Sequence, residues 1–201
     1  MLNAKCSKVP LILLAAGKSR RMGSPKQLLS YKGSSLIRHA TKETIASICN
    51  PTVVVLGANS DRITREIKDL SVHIAYNTKW QQGMSASIAV GINTLLEMKL
   101  DFDAVIMALA DQPLITFQVY DRLVRSYYQN KVKAVASNYS DTIGVPALFD
   151  RTLLPKLLNM KHQGGAKQLL NKYSDRAFNL DLPEAAIDID TPADYKKLLA
   201  I

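Results

Sequence analysis

Val9-Pro10-Leu11-Ile12-Leu13-Leu14-Ala15-Ala16-Gly17 is an apolar run that stops at a glycine, and the basic stretch Lys18-Ser19-Arg20-Arg21-Met22-Gly23-Ser24-Pro25-Lys26 follows it. The run does not alternate apolar with polar residues, so its strand should be buried on both faces. Thr52 to Leu56, with Val53-Val54-Val55 at its centre, and Ala104 to Ala110 read the same way. Short strands are expected at Val72–Tyr76 and Val132–Ser137. Between them lie amphipathic stretches expected as helices: Ser34 or Ser35 to Ile48, Asp61–Asp69, Ser85–Met98, and a helix capped by Thr116 and running to Asn130. Residues 16–33 read as one long loop. This alternation predicts an α/β fold, a mainly parallel sheet with helices on both faces.

After residue 137 the pattern loosens. A strand is expected at Val145–Phe149, helices at 151–159 and 165–172, an extended segment at Phe178–Leu182 and a last helix at Thr191–Leu199. With 201 residues and no linker or repeat, a single domain is expected. Ligands of open α/β sheets bind beyond the carboxyl ends of the strands. The loops starting at Ala15, Gly57, Tyr76 and Ala110 are therefore where chemistry should lie.

The net charge of +9 invites a nucleic-acid reading. Residues 1–50, however, carry nine bases and one acid, so +8 of the +9 sits in a quarter of the chain. One basic focus suits a compact polyanion better than a long one, and no aromatic-basic stripe accompanies it. No nucleic-acid partner is expected. Nor is a membrane, since no stretch approaches the ~20 apolar residues of a span. Cys6 and Cys49 are the only cysteines and nothing suggests that they pair, so a reduced, cytoplasmic protein is expected. His39, His73 and His162 are scattered, which argues against a preassembled zinc site.

The loop after the first strand has small residues and glycines that let backbone N–H groups approach a ligand. Arg21 and Lys26 add charge suited to phosphate oxygens. It is no Walker A loop, because Ile12 stands where the first glycine should be. The bland alternative is a solvated basic loop. Gly83-Met84-Ser85-Ala86-Ser87 opens the third helix, where a glycine and hydroxyls can meet a ligand, although Ser85 also suits a plain N-cap. The lone Trp80 reads as a packing anchor. Asp111 ends the run Ala104–Ala110, a good place to hold Mg²⁺ against phosphates or simply to make a turn. Near the end, Thr191, Pro192 and Asp194 have the spacing of a capping box, which leaves Asp188 and Asp190 without a structural explanation.

Leu14-Ala-Ala-Gly-x-Ser-x-Arg-Met-Gly-x-Pro-Lys-x-Leu-Leu29 resembles the signature of nucleotidyltransferases of the molybdenum-cofactor cytidylyltransferase type. The likeness runs over about residues 9–199 and implies a Rossmann-like three-layer α/β/α fold. About 9–137 would bind nucleotide and 138–201 would complete the acceptor and metal site. It implies that Leu14, Ala15, Ala16 and Gly17 lie along the nucleotide, with Arg21 and Lys26 on the triphosphate and Lys26 near its α-phosphate. Asn77-x-x-Trp80-x-x-Gly83-Met-Ser-x-Ser87 resembles a second family segment, which makes Gly83 and Ser87 base contacts. Related enzymes pair an Asp-Gln-Pro type aspartate with an Asp-Thr-Pro aspartate on one magnesium, which here gives Asp111 and Asp190. Gly144-Val145-Pro146 with Phe149, and Gly165 to Leu170, resemble acceptor-side segments. His162-Gln163 stands where many relatives have Gly-Asp, a departure that bears on the acceptor. Ala15-Ala16-Gly17 follows CTP-using relatives, since GTP users commonly show Ala-Gly-Gly.

The reaction so implied is Mg²⁺-dependent transfer of CMP from CTP to a phosphorylated acceptor, molybdopterin by resemblance, with Lys26, Arg21 and Asp111 as catalytic residues. A phosphate monoester needs no general base, so positioning and charge neutralisation suffice. A molybdoenzyme or its chaperone is a further implied partner. Two alternatives stay open: transfer of a cytidylyl or guanylyl group to another small phosphorylated acceptor, and a non-catalytic nucleotide-binding maturation factor. A working metal pair at Asp111 and Asp190 argues against the second.

Overall fold

The computed structural model describes residues 8–140, 142–160, 166, 170 and 177–201. Strands β1 (Leu11–Ala15), β4 (Thr52–Leu56), β5 (His73–Tyr76), β6 (Ala104–Leu109), β7 (Ala134–Tyr139), β8 (Thr142–Asp150) and β9 (Ala177–Asp181) form one sheet. Its order is β5-β4-β1-β6-β8-β7-β9. A small hairpin, β2 (Ser30–Tyr31) and β3 (Ser34–Ser35), stands apart from it. Helices α1 (Leu36–Ala46), α2 (Ser60–Ile67), α3 (Met84–Glu97), α4 (Phe117–Asn130) and α5 (Leu154–Leu158) connect the strands, and a C-terminal helix covers Pro192–Leu198.

The unalternating strand sequences are explained by helices on both faces. Along β1, Leu11, Leu13 and Ala15 face a core shared with α1, α2 and α4. Ile12 and Leu14 face the opposite core, built with α3 and α5. Val54 and Leu56 of β4 join the first core, and Val53 and Val55 the second. Ala166 and Leu170 are buried in the second core as well.

The sheet is mainly parallel, as expected, with β8 as the exception. It pairs antiparallel with both β6 and β7 and so separates them. The link between β7 and β8 is too short for a crossover, which leaves an antiparallel hairpin as the available pairing. The expected loop over 16–33 is also more structured, with a 3-10 turn at Lys26–Leu28 followed by the β2–β3 hairpin. Two expected caps are corrected. Ser35 and Thr116 occupy N-cap positions without side-chain capping bonds. The Glu43 carboxylate of α1 instead accepts the Phe117 N–H at 2.9 Å. Cys49 is a buried free thiol, and burial pushes it up to about 12. Among the described residues no helix is long and apolar enough to cross a membrane.

From β1 the chain crosses to β4 on one side, and β6 lies on the other. The loops leaving β1 and β6 therefore part and open a crevice at the carboxyl end of the sheet. A third apolar cluster closes one flank: Met22 of the first loop, Tyr31 of the hairpin, Leu36, Ile189 and Leu198 of the C-terminal helix.

Candidate functional site

The crevice is a cleft of about 560 Å³. The ten residues given nucleotide, metal or catalytic roles from the sequence all line it: Leu14, Ala15, Ala16, Gly17, Arg21, Lys26, Gly83, Ser87, Asp111 and Asp190. Lys18, Arg20 and Asp188, which the sequence left without a role, line it too. Lys8 and Arg38 belong to the same basic segment but pair with Asp101 at 2.6 Å and Asp69 at 2.7 Å, away from the cleft. The basic focus thus narrows to Lys18, Arg20, Arg21 and Lys26.

The first loop is organised by a residue the sequence did not flag. Gln27 is 3% exposed, and its Nε2 donates to Ala15 O at 3.0 Å and Gly17 O at 2.9 Å. Its Oε1 accepts from Ser19 Oγ at 3.2 Å, and Ser19 Oγ in turn accepts the Lys26 N–H at 3.1 Å. Two carbonyls that would repel an anion are thereby turned onto an amide, and Lys26 is fixed at the start of its 3-10 turn. In the sequence, Gln27 was only a variable position inside the signature.

The second loop rests on Gly57. A Cβ there would lie 2.7 Å from Trp80 Cβ and 2.8 Å from Ala16 O, so the first two loops meet over this glycine. Trp80, read from the sequence as a packing anchor, is half-buried at that contact and also lines the cleft. Gly83 stands before α3 at φ 105°, a left-handed conformation that favours glycine. Ser85, expected as a plain cap, makes no capping bond, and its Oγ is buried without a partner among the described residues.

Asp111 and Asp190 are far apart in sequence and adjacent in space. The Ile189 N–H donates to Asp111 O at 2.9 Å, and the Ile189 side chain is fully buried. The capping box forms as the sequence predicts, with Thr191 and Asp194 bonded reciprocally, and Asp194 also accepts the Asp190 N–H at 3.3 Å. Gln112, buried, ties the next layer: its Nε2 donates to Val145 O at 3.1 Å and Ala185 O at 2.8 Å.

These supports bring four charged groups together. Lys26 Nζ lies 2.5 Å from Asp111 Oδ2 and 2.9 Å from Asp190 Oδ1. Arg21 Nη2 lies 2.5 Å from Asp190 Oδ2. Burial by itself would lower the Lys26 ammonium, but Asp111 and Asp190 outweigh it and raise it above its ordinary value. Burial likewise pushes Asp190 up, and Lys26 with Arg21 outweighs that and holds the carboxyl below its usual range. Asp188, exposed at the rim, goes the other way: burial on its inner side and the charges of Asp190 and Asp111 raise it. Asp111 Oδ1 is buried with no partner among the described residues. An orphaned carboxylate oxygen beside a second carboxylate fits a hard divalent cation, which takes one or two carboxylates and completes its shell with water and phosphate. Among the described residues no group of three or more His, Cys, Asp or Glu is arranged around one point for a metal.

On the acceptor side the structure divides the expected segment. Gly144-Val145-Pro146 lies at the cleft end of β8, where the register with β7 shifts. Phe149 is a correction: it is fully buried in the second core and pairs with Val105 near the start of β6, away from the cleft. Antiparallel β8 carries it to the opposite end of the sheet. His162, Gln163, Gly165 and Lys167, and most of the helix expected at 165–172, lie outside the described residues.

Comparison with known proteins agrees with this architecture. The chain is 27% identical to nicotine blue oxidoreductase of Paenarthrobacter nicotinovorans over 94% of its length and 95% of that protein. It is 20% identical to the molybdenum cofactor cytidylyltransferase of Escherichia coli, with 94% of each covered. Among solved structures, Rv0371c of Mycobacterium tuberculosis H37Rv superposes with a TM-score of 0.82 at 21% identity, covering 97% of this chain and 99% of that one. The same protein has been solved in complex with manganese, where the TM-score is 0.74 at 20% identity, covering 96% and 98%. The MobA-like NTP transferase domain matches residues 11–177. The chain belongs to the MobA-like NTP transferase family.

Proposed function

We propose that this protein is a magnesium-dependent nucleotidyltransferase that moves CMP from CTP onto the phosphate of a molybdopterin-type cofactor and releases pyrophosphate. One observation carries the reading: the Lys26–Asp111–Asp190 centre, with Arg21 on its outer side, at the mouth of the crevice over β1 and β6. Asp111 and Asp190 would hold the magnesium, which when bound neutralises phosphate oxygens and makes the phosphorus easier to attack.

The chain's own residues do the rest. The backbone from Leu14 to Gly17 and the Gly83–Ser87 turn flank the nucleotide. Lys26 exchanges its carboxylate partners for the α-phosphate, and Arg21, already exposed, reaches the β- and γ-phosphates. An acceptor phosphate oxygen attacks the α-phosphorus, and a new P–O bond forms. The bond from the α-phosphorus to its bridging oxygen breaks, and its electron pair leaves with pyrophosphate. Lys26 and Arg21 stabilise the charge that develops on both sides of that exchange. No side chain has to remove a proton from an ionised phosphate.

Support for the acceptor comes from the resemblance to cytidylyltransferases and from the Escherichia coli relative. A relative covered to a similar extent is named for an oxidoreductase, so the acceptor is the part to test first. The protein is incubated with Mg²⁺, each nucleoside triphosphate in turn and molybdopterin, and pyrophosphate is measured. Release with CTP alone is the expected result. Thermal stabilisation by Mg-CTP with no release on molybdopterin would keep the nucleotide half and discard the acceptor. No response to any triphosphate would overturn the whole reading.

A further inference from the structure

Serine and threonine hydroxyls inside helices usually give their hydrogen to a carbonyl one turn back. Thr41 does so to Ile37 O at 2.7 Å, and Thr94, on the same helix as Ser87, does so to Val90 O at 2.9 Å. Ser87 behaves differently. Its Oγ accepts a hydrogen bond from Asn77 Nδ2 at 2.9 Å, and no acceptor takes its own hydrogen among the described residues. Both side chains are buried, with Asn77 3% and Ser87 5% exposed, and Ser87 lines the cleft.

The direction of that bond is set by the surroundings of Asn77. Its backbone N–H donates to Leu56 O at 2.7 Å, which pins it to the end of β4. Its Oδ1 accepts the Lys79 N–H at 2.9 Å. A backbone N–H cannot accept, so the amide oxygen must face Lys79 and the amide nitrogen must face Ser87. Ser87 is therefore held as an acceptor toward the protein, and its single hydrogen is left for the cleft.

We propose that Asn77 is a positioning residue that makes Ser87 an obligate hydrogen-bond donor to the nucleotide base. The Watson–Crick edge facing α3 must then present an acceptor, and a ring N–H or amino hydrogen at that point is rejected. For CTP the atom is ring N3, which carries a hydrogen in UTP. The guanine and adenine edges differ in the same alternating way. A buried donor left unpaired by the wrong base is costly, which is how a single hydroxyl can discriminate. The inference rests on the nucleotide-transfer reading and adds to it the means of base selection.

The test measures dissociation constants of the Mg²⁺ complexes of CTP, UTP, GTP and ATP by calorimetry on the full chain. The readout is the ratio within each pair, CTP to UTP and GTP to ATP, because any change felt by the triphosphate cancels. Ser87→Ala should cut the ratio of the preferred pair by about fivefold to tenfold, the worth of one neutral hydrogen bond. Asn77→Asp should cut it by the same factor, because a carboxylate takes the Ser87 hydrogen for itself. The double variant should fall no further than either single one. Should Asn77→Asp not fold, Asn77→Leu leaves the hydroxyl unrestrained and should lower the ratio by about twofold to threefold. A merely structural Asn77 would lower the melting temperature and leave the ratio where it was, which would overturn the proposal. So would single losses that multiply in the double variant, or a wild-type chain that binds CTP and UTP, and GTP and ATP, equally. A wild-type chain that binds none of the four fells the transfer reading itself, and this inference with it.

Discussion

The Lys26 loop and the Asp190 segment meet at one ion-pair centre but are built in opposite ways. The first is held from within. Gln27 and Ser19 bind partners 7 to 12 residues away, and the loop would keep much of its shape around them. The second is held from outside. Asp190 reaches Lys26 across 164 positions of sequence. The segment is kept there by the Ile189 N–H on Asp111 O and by the Ile189 side chain in the cluster beneath the loop. A self-supporting loop can be read, and damaged, locally. A borrowed aspartate depends on contacts between parts of the chain far apart in sequence.

The largest effect should come where the two regions join. Lys26→Ala and Asp111→Ala should each lower turnover at least about a hundredfold, as loss of charge stabilisation at a reacting phosphate does, while circular dichroism shows the fold retained. Near-normal pyrophosphate release from either variant would break the assignment of this centre to catalysis. Gln27→Ala strikes the self-supported side. It strands two carbonyls, so kcat/KM should drop about tenfold to thirtyfold with about 1–3 kcal/mol of stability lost. An unchanged rate would show that the loop does not need its internal amide.

Ile189→Ala strikes the borrowed side, and its signature should be inverted. Denaturation should show about 2–4 kcal/mol lost to the cavity, with turnover falling only about threefold to tenfold once magnesium and substrate are saturating. A larger catalytic than structural loss there would erase the contrast between the regions.

Acid unfolding should show a smaller effect. The Asp190 carboxyl is lowered in the folded state by Lys26 and Arg21 despite its burial. It therefore stabilises the fold above its unfolded value of ~3.9, and that contribution is lost as pH falls through the lower folded value. Asp190→Asn should flatten the acid limb below about pH 4. Asp188 has the opposite sign, since burial, Asp190 and Asp111 raise it. Its contribution is present below its unfolded value and lost as pH rises through the folded one. At neutral pH, Asp188→Asn should raise the melting temperature by no more than about 1–2 °C, because the side chain is exposed and screened. A fall on that substitution would mean that Asp188 is bonded rather than crowded.

The first 137 residues were largely legible because their signals are local. β4 spans Thr52–Leu56 as read, and β6 ends one residue short of the reading. The glycine-basic loop carries its own signature. The illegible parts involve partners distant in sequence. Nothing in Thr116 says that Glu43 will cap its helix, and nothing in Gln112 says that its amide will join Val145 to Ala185. Phe149 was placed near the acceptor because a linear motif does not show which way a strand runs.

The sequence by itself determined the α/β class, the strands buried on both faces, the glycine-basic loop and the capping box at Thr191. Each of these is written in periodicity or in bonds between near neighbours. Only the tertiary structure decided that β8 runs against its neighbours and that Gly57 lets two loops touch. It alone set Asn77 against Ser87 and Asp190 against Lys26. Those outcomes depend on which surfaces remain to be paired once the sheet has closed around β1, and that is a property of the packed chain as a whole.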